Sequence, residues 1–510
     1  MGVPEAIRNT PAWARVLSLV AILRVVASAT VPLTPEEAYH WNYAAHLDWS
    51  YYDHPPMIAW AIAAGRLLFG DTSFGVRFVP LLMGLGTAWI ISTLARRLYG
   101  EGGGLWAIIL VSIEPVVFIA SGAGFPDAPL LFFWASALLF IMKALDTGRG
   151  TWWLAGGVAL GAAMLSKYTA VFLAPSVLLY LLLSKRDRRW LATPWPYAAG
   201  ILALAVFGPV LYWNAVHDWA SFRFQSVDRL EQAHHFNPLG AVRFLGQQYL
   251  GFFPLTLPLA ALGLLRGMRS PKPDERLLFW ASALLPAFFF LLSWTRPIHL
   301  MWPMPAWLGL TILMAGCASE AREALARFYA SRRGWLSGIS AVVLAGAVLH
   351  AAFFLPLLSP FQGLYGWKEV AARAKEIRSG MPEGTFYLGL GRKYTCTSQL
   401  AFQLRDPGNV HGNNLLGFEG LQYDFWSDPE RLRGRDAVVV LEAGDREAHT
   451  RVLLNQCFAS ATEAGKVTVP VGRSTLLRTS PVAFILYRAT GYRPPPVSPK
   501  GVKRPATLFK

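Results

Sequence analysis

Up to about residue 356 the chain is a succession of long apolar runs joined by short polar connections. The runs cover roughly 16–31, 76–95, 104–121, 128–143, 152–165, 169–183, 196–213, 246–265, 277–293, 302–317 and 336–356. Several approach the ~20 residues needed to cross the hydrocarbon core of a bilayer. The pattern predicts a polytopic α-helical membrane protein with about eleven transmembrane helices, the two short runs around Lys167 also reading as broken half-helices. A shorter apolar stretch at 57–69 suits a helix lying along the membrane interface. Beyond about residue 357 the pattern changes. A helical pattern from Trp367 to Arg378 and possible strands at Thr385–Leu390, Ala437–Leu441 and Val482–Tyr487 predict a small α/β domain over 357–492. A Pro/Lys-rich stretch at 493–510 reads as a disordered tail.

Composition sharpens this reading. Of 510 residues, 54% are hydrophobic and only 15% charged, against about 25% charged in soluble proteins. Disorder, a disulfide-dense secreted module and a lone soluble enzyme are thereby disfavoured. The formal charge of +16 would suggest nucleic acid in a soluble chain. Its distribution says otherwise. Arg96-Arg97, Lys143 with Arg149, the 185–189 run, Arg266 to Arg276 and Arg322 to Arg333 all fall on the side of the N-terminus, as the positive-inside rule requires. The first run could be a signal peptide, but Arg24 interrupts its core and favours a retained span with a cytoplasmic N-terminus. An odd number of spans then places 357–492 on the extracytoplasmic, periplasmic side of a bacterial inner membrane. Cys396 and Cys457 fall in that domain, and two readings stay open for them: a disulfide, or two buried free thiols.

Charge scarcity makes the external ionisable residues informative. The first external loop, about 33–75, carries Thr34-Pro35-Glu36-Glu37-Ala38-Tyr39-His40-Trp41 and then Tyr51-Tyr52-Asp53-His54-Pro55-Pro56. Thr34, Pro35 and Glu37 fit a helix N-cap, a first helical proline and a capping box. Glu36 gains only the helix dipole from its position. A loop carboxylate can serve as general base toward an acceptor hydroxyl or amine, and the aromatics suit sugar stacking or, equally, an interfacial belt. Asp127 could cap the helix that follows it. Lys167 stands between two apolar runs with no other charge for over a dozen residues on either side. Such an isolated cation is a functional-site hypothesis, here a phosphate ligand, with snorkelling to water as the alternative. Arg296-Pro297-Ile298-His299 forms another basic external turn, suited equally to interfacial anchoring. No phosphate-cradling glycine loop and no zinc-type His or Cys spacing is present.

With these residues in place, the chain resembles the lipid-linked-sugar glycosyltransferases of the GT-C class. More closely it is similar to bacterial members of glycosyltransferase family 39, which includes protein O-mannosyltransferases, aminoarabinose transferases acting on lipid A and galacturonosyl transferases. The likeness is carried by Tyr51-Tyr52-Asp53-His54-Pro55-Pro56, by Pro126-Asp127-Ala128-Pro129, Ser166-Lys167-Tyr168, Phe222-Arg223-Phe224-Gln225 and Trp302-Pro303. Glu36-Glu37 stands where the family usually has Asp-Glu, which keeps the charge and lengthens the side chain. The resemblance implies a transmembrane GT-C module over 1–356 and a polyprenyl-phosphate monosaccharide donor such as an undecaprenyl phosphate sugar. It also implies transfer on the extracytoplasmic face to an envelope acceptor: lipid A or its core, another lipid or glycan, or protein. It gives Glu36, Glu37 and Asp53 catalytic roles, His54, Lys167, Arg296 and His299 the donor phosphate, and Asp127 the orientation of the first loop. Direct displacement would invert the anomeric centre. No cofactor is required, and the spacing demands no metal, although paired acids could hold one. The rival of another class is a polytopic transporter or lipid flippase with Lys167 and Asp127 lining a path, disfavoured by charges clustered in loops and by the lack of a repeat.

Overall fold

Apolar runs become helices wherever the structure, a computed structural model, describes them: residues 10–228, 236–251, 256–329, 366–444, 447–469 and 482–495. The run predicted at 336–356 and most of the predicted tail lie outside these residues. Among the described residues, four helices are long and apolar enough to cross a bilayer by length and composition: Ala12–Thr30, Ser73–Ile113, Asp127–Thr147 and Pro273–Leu292. The pair Trp195–Val206 and Gly208–Val216, bent by 47°, would make a fifth. Helices Thr151–Ser166 and Tyr168–Leu183 are apolar but shorter, and meet at Lys167 as the half-helix reading anticipates.

The breaks have local causes. Gly100, at φ 72° and ψ −171°, divides the 41-residue segment Ser73–Ile113 into two helices, which is why two separate runs were legible there. A further break falls at Glu114, held extended at ψ 108° by the proline that follows. Within run 246–265 the described residues lie in helices Pro238–Gly251 and Leu257–Arg269.

The chain forms two compact units. One comprises Met1–Ser28, His54–Ala61 and Arg77–Ala351. Its core is aliphatic, with Trp134 fully buried. Helices Thr151–Ser166 and Trp195–Val206 approach so closely that a Cβ added at Gly157 would lie 2.4 Å from the Ala199 carbonyl oxygen, and one at Gly161 2.7 Å from that of Ala203. This small-xxx-small spacing lets helix backbones touch where no hydrophobic force drives them together.

The other unit comprises Ala29–Asp53, Ile62–Val76 and Ala352–Lys510, so most of the first loop folds with the C-terminal residues. Its centre is a five-stranded sheet of β1 (Phe386–Leu390), β2 (Val410–His411), β3 (Ala437–Glu442), β4 (Ser460–Val469) and β5 (Val482–Thr490), in the order β2-β1-β3-β5-β4. β1 runs parallel to β2 and β3, pairing Phe386 with Ala437 and Leu390 with Leu441. β5 pairs antiparallel with β3 and β4. All of β1 and nearly all of β3 are buried, as parallel strands covered on both faces should be. The predicted helix at Trp367 is found as Trp367–Ser379, joined by Thr395–Leu404 and Glu447–Cys457. Of the two readings kept open for the cysteines, the structure takes the free thiols: Cys396 and Cys457 are both buried and unbridged, and Cys396 Sγ donates to the Val440 carbonyl at 3.4 Å.

Candidate active site

Helix Pro35–Ala45 begins on Thr34 with a complete capping box: Glu37 N donates to Thr34 Oγ1 at 3.2 Å, and Thr34 N donates to Glu37 Oε2 at 2.9 Å. Glu37 is 0% exposed, its carboxylate engaged in starting the helix. Glu36, one residue earlier and half-buried, lies in the same first turn. The two acids adjoin in sequence and differ in environment.

Further along, the helix presents Tyr39 and Tyr43 on one face, as i, i+4 spacing dictates. Both phenols donate to Oδ1 of Asp53, Tyr39 at 3.1 Å. Asp53 is 6% exposed. Burial pushes its carboxyl above the usual carboxylate range, and the Tyr43 hydroxyl, the charge of His40 and the Tyr39 hydroxyl partly oppose the rise. Tyr51 stacks on Tyr43 at 4.0 Å between centroids and ties the loop by donating to the Tyr43 carbonyl at 3.0 Å.

Residues distant in sequence complete this cluster. Gln422 N donates to the Tyr39 hydroxyl at 3.1 Å, while its side-chain Oε1 accepts from Tyr52 N at 2.7 Å. Gln399 donates to the Leu33 carbonyl at 2.7 Å. Tyr394 stacks on Tyr39, and its phenol is pushed well up by burial and then by the charges of Glu36 and Asp53. Trp426 packs edge-on against Tyr43 and stacks on His46. Trp41 Nε1 donates to Asp71 at 2.7 Å, and Arg66 bonds the same oxygen, fixing the far end of the loop. Sequence reading singled out Asp53 but not Gln399, Tyr394 or Gln422. The Tyr39/Tyr43 spacing was the available signal for the phenols; nothing local marks the distal residues.

The other unit carries the predicted cations. Lys167 Nζ donates to Asp127 Oδ1 at 2.7 Å, with side-chain exposures of 13% and 5%. Asp127 opens helix Asp127–Thr147 and Lys167 closes helix Thr151–Ser166. Each charge therefore sits at the dipole end that favours it. Tyr168 shares a hydrogen bond with Ser221 at 2.5 Å, beside the Phe222–Gln225 motif, where the chain passes into a π-helical turn at Phe224–Asp228. Arg296 lines a cavity of about 180 Å³ with Asn237, Arg243, Gln247 and Ser293. Arg243, on helix Pro238–Gly251, was not foreseen; a lone cation there carries no distinguishing sequence mark. His299 lies exposed in the next turn, its Nδ1 accepting from Met301 N at 3.4 Å, and does not line that cavity. His54, half-buried, begins the segment His54–Ala61. The predicted site residues thus fall into groups: Glu36, Glu37 and Asp53 in one unit; Asp127 with Lys167, Arg296 with Arg243, and His54 in the other. Among the described residues no group of three or more His, Cys, Asp or Glu converges to hold a metal ion.

Comparison with known proteins places these observations. The family model described as dolichyl-phosphate-mannose-protein mannosyltransferase matches residues 53–213. A lipid A galacturonosyltransferase of Rhizobium johnstonii is 28% identical over 285 residues, 54% of this chain and 59% of that protein. An undecaprenyl phosphate-α-4-amino-4-deoxy-L-arabinose arabinosyl transferase of Pseudomonas aeruginosa is 30% identical over 337 residues, 61% of this chain and 57% of that protein. The matched segments thus span somewhat over half the length of these curated relatives. In structure, ArnT from Cupriavidus metallidurans bound to undecaprenyl phosphate superposes with a TM-score of 0.63 at 19% identity, covering 94% of this chain and 98% of that one. The resemblance to GT-C membrane glycosyltransferases read from the sequence holds in both sequence and fold.

Proposed function

We propose that this protein is a membrane glycosyltransferase. It moves a monosaccharide from a polyprenyl-phosphate donor to an envelope acceptor on the extracytoplasmic face of a bacterial inner membrane. The N-terminus is cytoplasmic and the α/β domain extracytoplasmic. The observation that carries this reading is the buried Asp53 carboxylate, held by two phenols in the loop that also bears Glu36 and braced by the C-terminal residues. A buried carboxylate with a raised pKa inside a polar cluster is a functional-site candidate. Curated relatives named for lipid A and for undecaprenyl phosphate sugars support the donor class and make an envelope lipid the favoured acceptor.

The roles divide by accessibility. Glu37 starts the helix. Glu36, half-buried in its first turn, takes the proton of the acceptor hydroxyl as that oxygen attacks the anomeric carbon. The bond from that carbon to the phosphate oxygen breaks, and polyprenyl phosphate leaves with the electron pair. One displacement inverts the configuration. Asp53, largely enclosed, orients the loop and sets the local field. The leaving phosphate needs cations. Lys167 directs one ammonium N–H to Asp127 in a hydrogen bond, and its ammonium group has two more donors that an anion could take. Arg296, with Arg243 on the same cavity, and His54 are the further candidates. The transporter reading rests on Lys167 and Asp127, which in the structure pair with each other; the relatives named as transferases favour the enzyme reading.

The test is incubation of the purified protein with labelled polyprenyl-phosphate sugars and a membrane lipid extract. Radiolabel in an acceptor lipid, lost in Glu36→Gln, supports the reading; label staying wholly in the donor with every sugar tried opposes it.

A further inference from the structure

Where β1 ends at Leu390, the chain turns through Gly391-Arg392-Lys393-Tyr394 into helix Thr395–Leu404. β2, β1 and β3 are parallel, so this turn lies at the carboxyl edge of the parallel strands, where open α/β sheets receive ligands. The turn is built rather than loose. Buried Asn413 donates to the Gly391 carbonyl at 2.9 Å and to the Lys393 carbonyl at 3.0 Å, and accepts from Gly391 N at 3.4 Å. Lys393 is held at φ 49°, a left-handed conformation that a β-carbon disfavours. Strain of this kind, fixed by a buried amide, marks positions where backbone geometry serves a ligand.

The turn displays two adjacent cations. Arg392 and Lys393 are both exposed, and neither makes an ion pair within 4.0 Å among the described residues. Glu442 touches the turn: it takes the Arg392 backbone N–H, its carboxyl feels the Arg392 charge, and its Oε2 is buried. Tyr394, the next residue, stacks on Tyr39 and feels the charges of Glu36, Asp53 and Arg392 together. Through this stack the turn adjoins the helix whose first turn carries Glu36.

We propose that Arg392 and Lys393 form an anion subsite for the acceptor, which is accordingly an amphiphile carrying a phosphate or carboxylate group near its accepting hydroxyl. The proposal rests on the glycosyltransferase reading for the word acceptor, and on geometry for the site itself. Seating the anion on the turn brings the neighbouring hydroxyl toward Glu36. A neutral acceptor would lose this anchorage, so the turn sets specificity rather than performing the transfer.

Binding can be measured without turnover, which keeps the test separate from the proposed function. The full chain in detergent is titrated with bisphosphorylated lipid A, with enzymatically dephosphorylated lipid A and with undecaprenyl phosphate. The wild type should bind the bisphosphorylated lipid at least tenfold more tightly than the dephosphorylated one. Arg392→Gln/Lys393→Gln should abolish that preference and leave undecaprenyl phosphate binding within twofold. The charge-keeping pair Arg392→Lys/Lys393→Arg should retain it, which separates lost charge from lost folding. Equal binding of both lipids by the wild type would overturn the proposal. So would an unchanged preference in the glutamine variant, or a loss confined to undecaprenyl phosphate, which would assign the cations to the donor.

Discussion

Tyr39 and Tyr394 lie face to face, their ring centroids 4.0 Å apart and their planes within 1°. One ring belongs to the helix that carries Glu36; the other opens a helix more than three hundred residues later. With the Gln422 bonds to Tyr39 and Tyr52, this stack makes the C-terminal residues part of the loop's support. Gln422→Ala removes the acceptor of the part-buried Tyr52 N–H, a cost of about 1 kcal/mol. The expected result is a lower melting temperature and a transfer rate reduced through kcat. Calorimetry and steady-state kinetics on the same preparation check both.

Adjacent acids should respond differently. Gln can replace Glu in a capping box. Glu37→Gln should therefore keep the fold and most of the activity, whereas Glu37→Ala should destabilise by about 1 kcal/mol. Glu36→Gln should leave stability nearly unchanged and remove transfer. Comparing melting temperatures and rates across the three variants separates the cap from the base.

Asp53 should dominate the acid side of the pH dependence. Its carboxyl is raised by burial and held down in part by the Tyr43 and Tyr39 hydroxyls. A folded pKa above the unfolded one means that the native state holds a proton where the unfolded chain has released it. Stability from this group is thus present at low pH and falls as pH rises from the ordinary carboxylate value through the folded one. Tyr43→Phe removes a bond to the ionised form worth about 1.5–3 kcal/mol. It should move the acid limb of the rate profile up by about one to two pH units. A pH–rate profile of wild type and variant is the check, and an unmoved limb would remove Asp53 ionisation from the account.

Asp127 and Lys167 form a partly buried ion pair, and breaking one partner of a fully buried pair costs about 3–5 kcal/mol, an upper bound here. Lys167→Met alone should lower the melting temperature markedly. Lys167→Met with Asp127→Leu should recover most of the stability while transfer stays lost, if the ammonium serves the donor phosphate. Activity restored along with stability would leave Lys167 a structural residue only.

Legibility in the sequence followed the range of the forces involved. Helices showed because apolar runs are local, and Gly100 and Pro115 punctuate them in the sequence itself. β1, β3 and β5 showed as short apolar stretches. β2 did not, having two residues, nor did β4, whose exposed polar positions and the bulge at Gly465 hide its alternation. The Thr34–Glu37 cap was readable from four residues. Gln399, Asn413 and Gln422 were not, because each acts through contacts more than twenty residues away and carries no motif of its own.

The most direct test of the central claim measures sugar transfer from a radiolabelled polyprenyl-phosphate monosaccharide by wild type, Glu36→Gln and Asp53→Asn, each confirmed folded by its melting temperature. The account predicts labelled acceptor lipid with the wild type and at least a hundredfold less with either variant. Full transfer by both variants would contradict it.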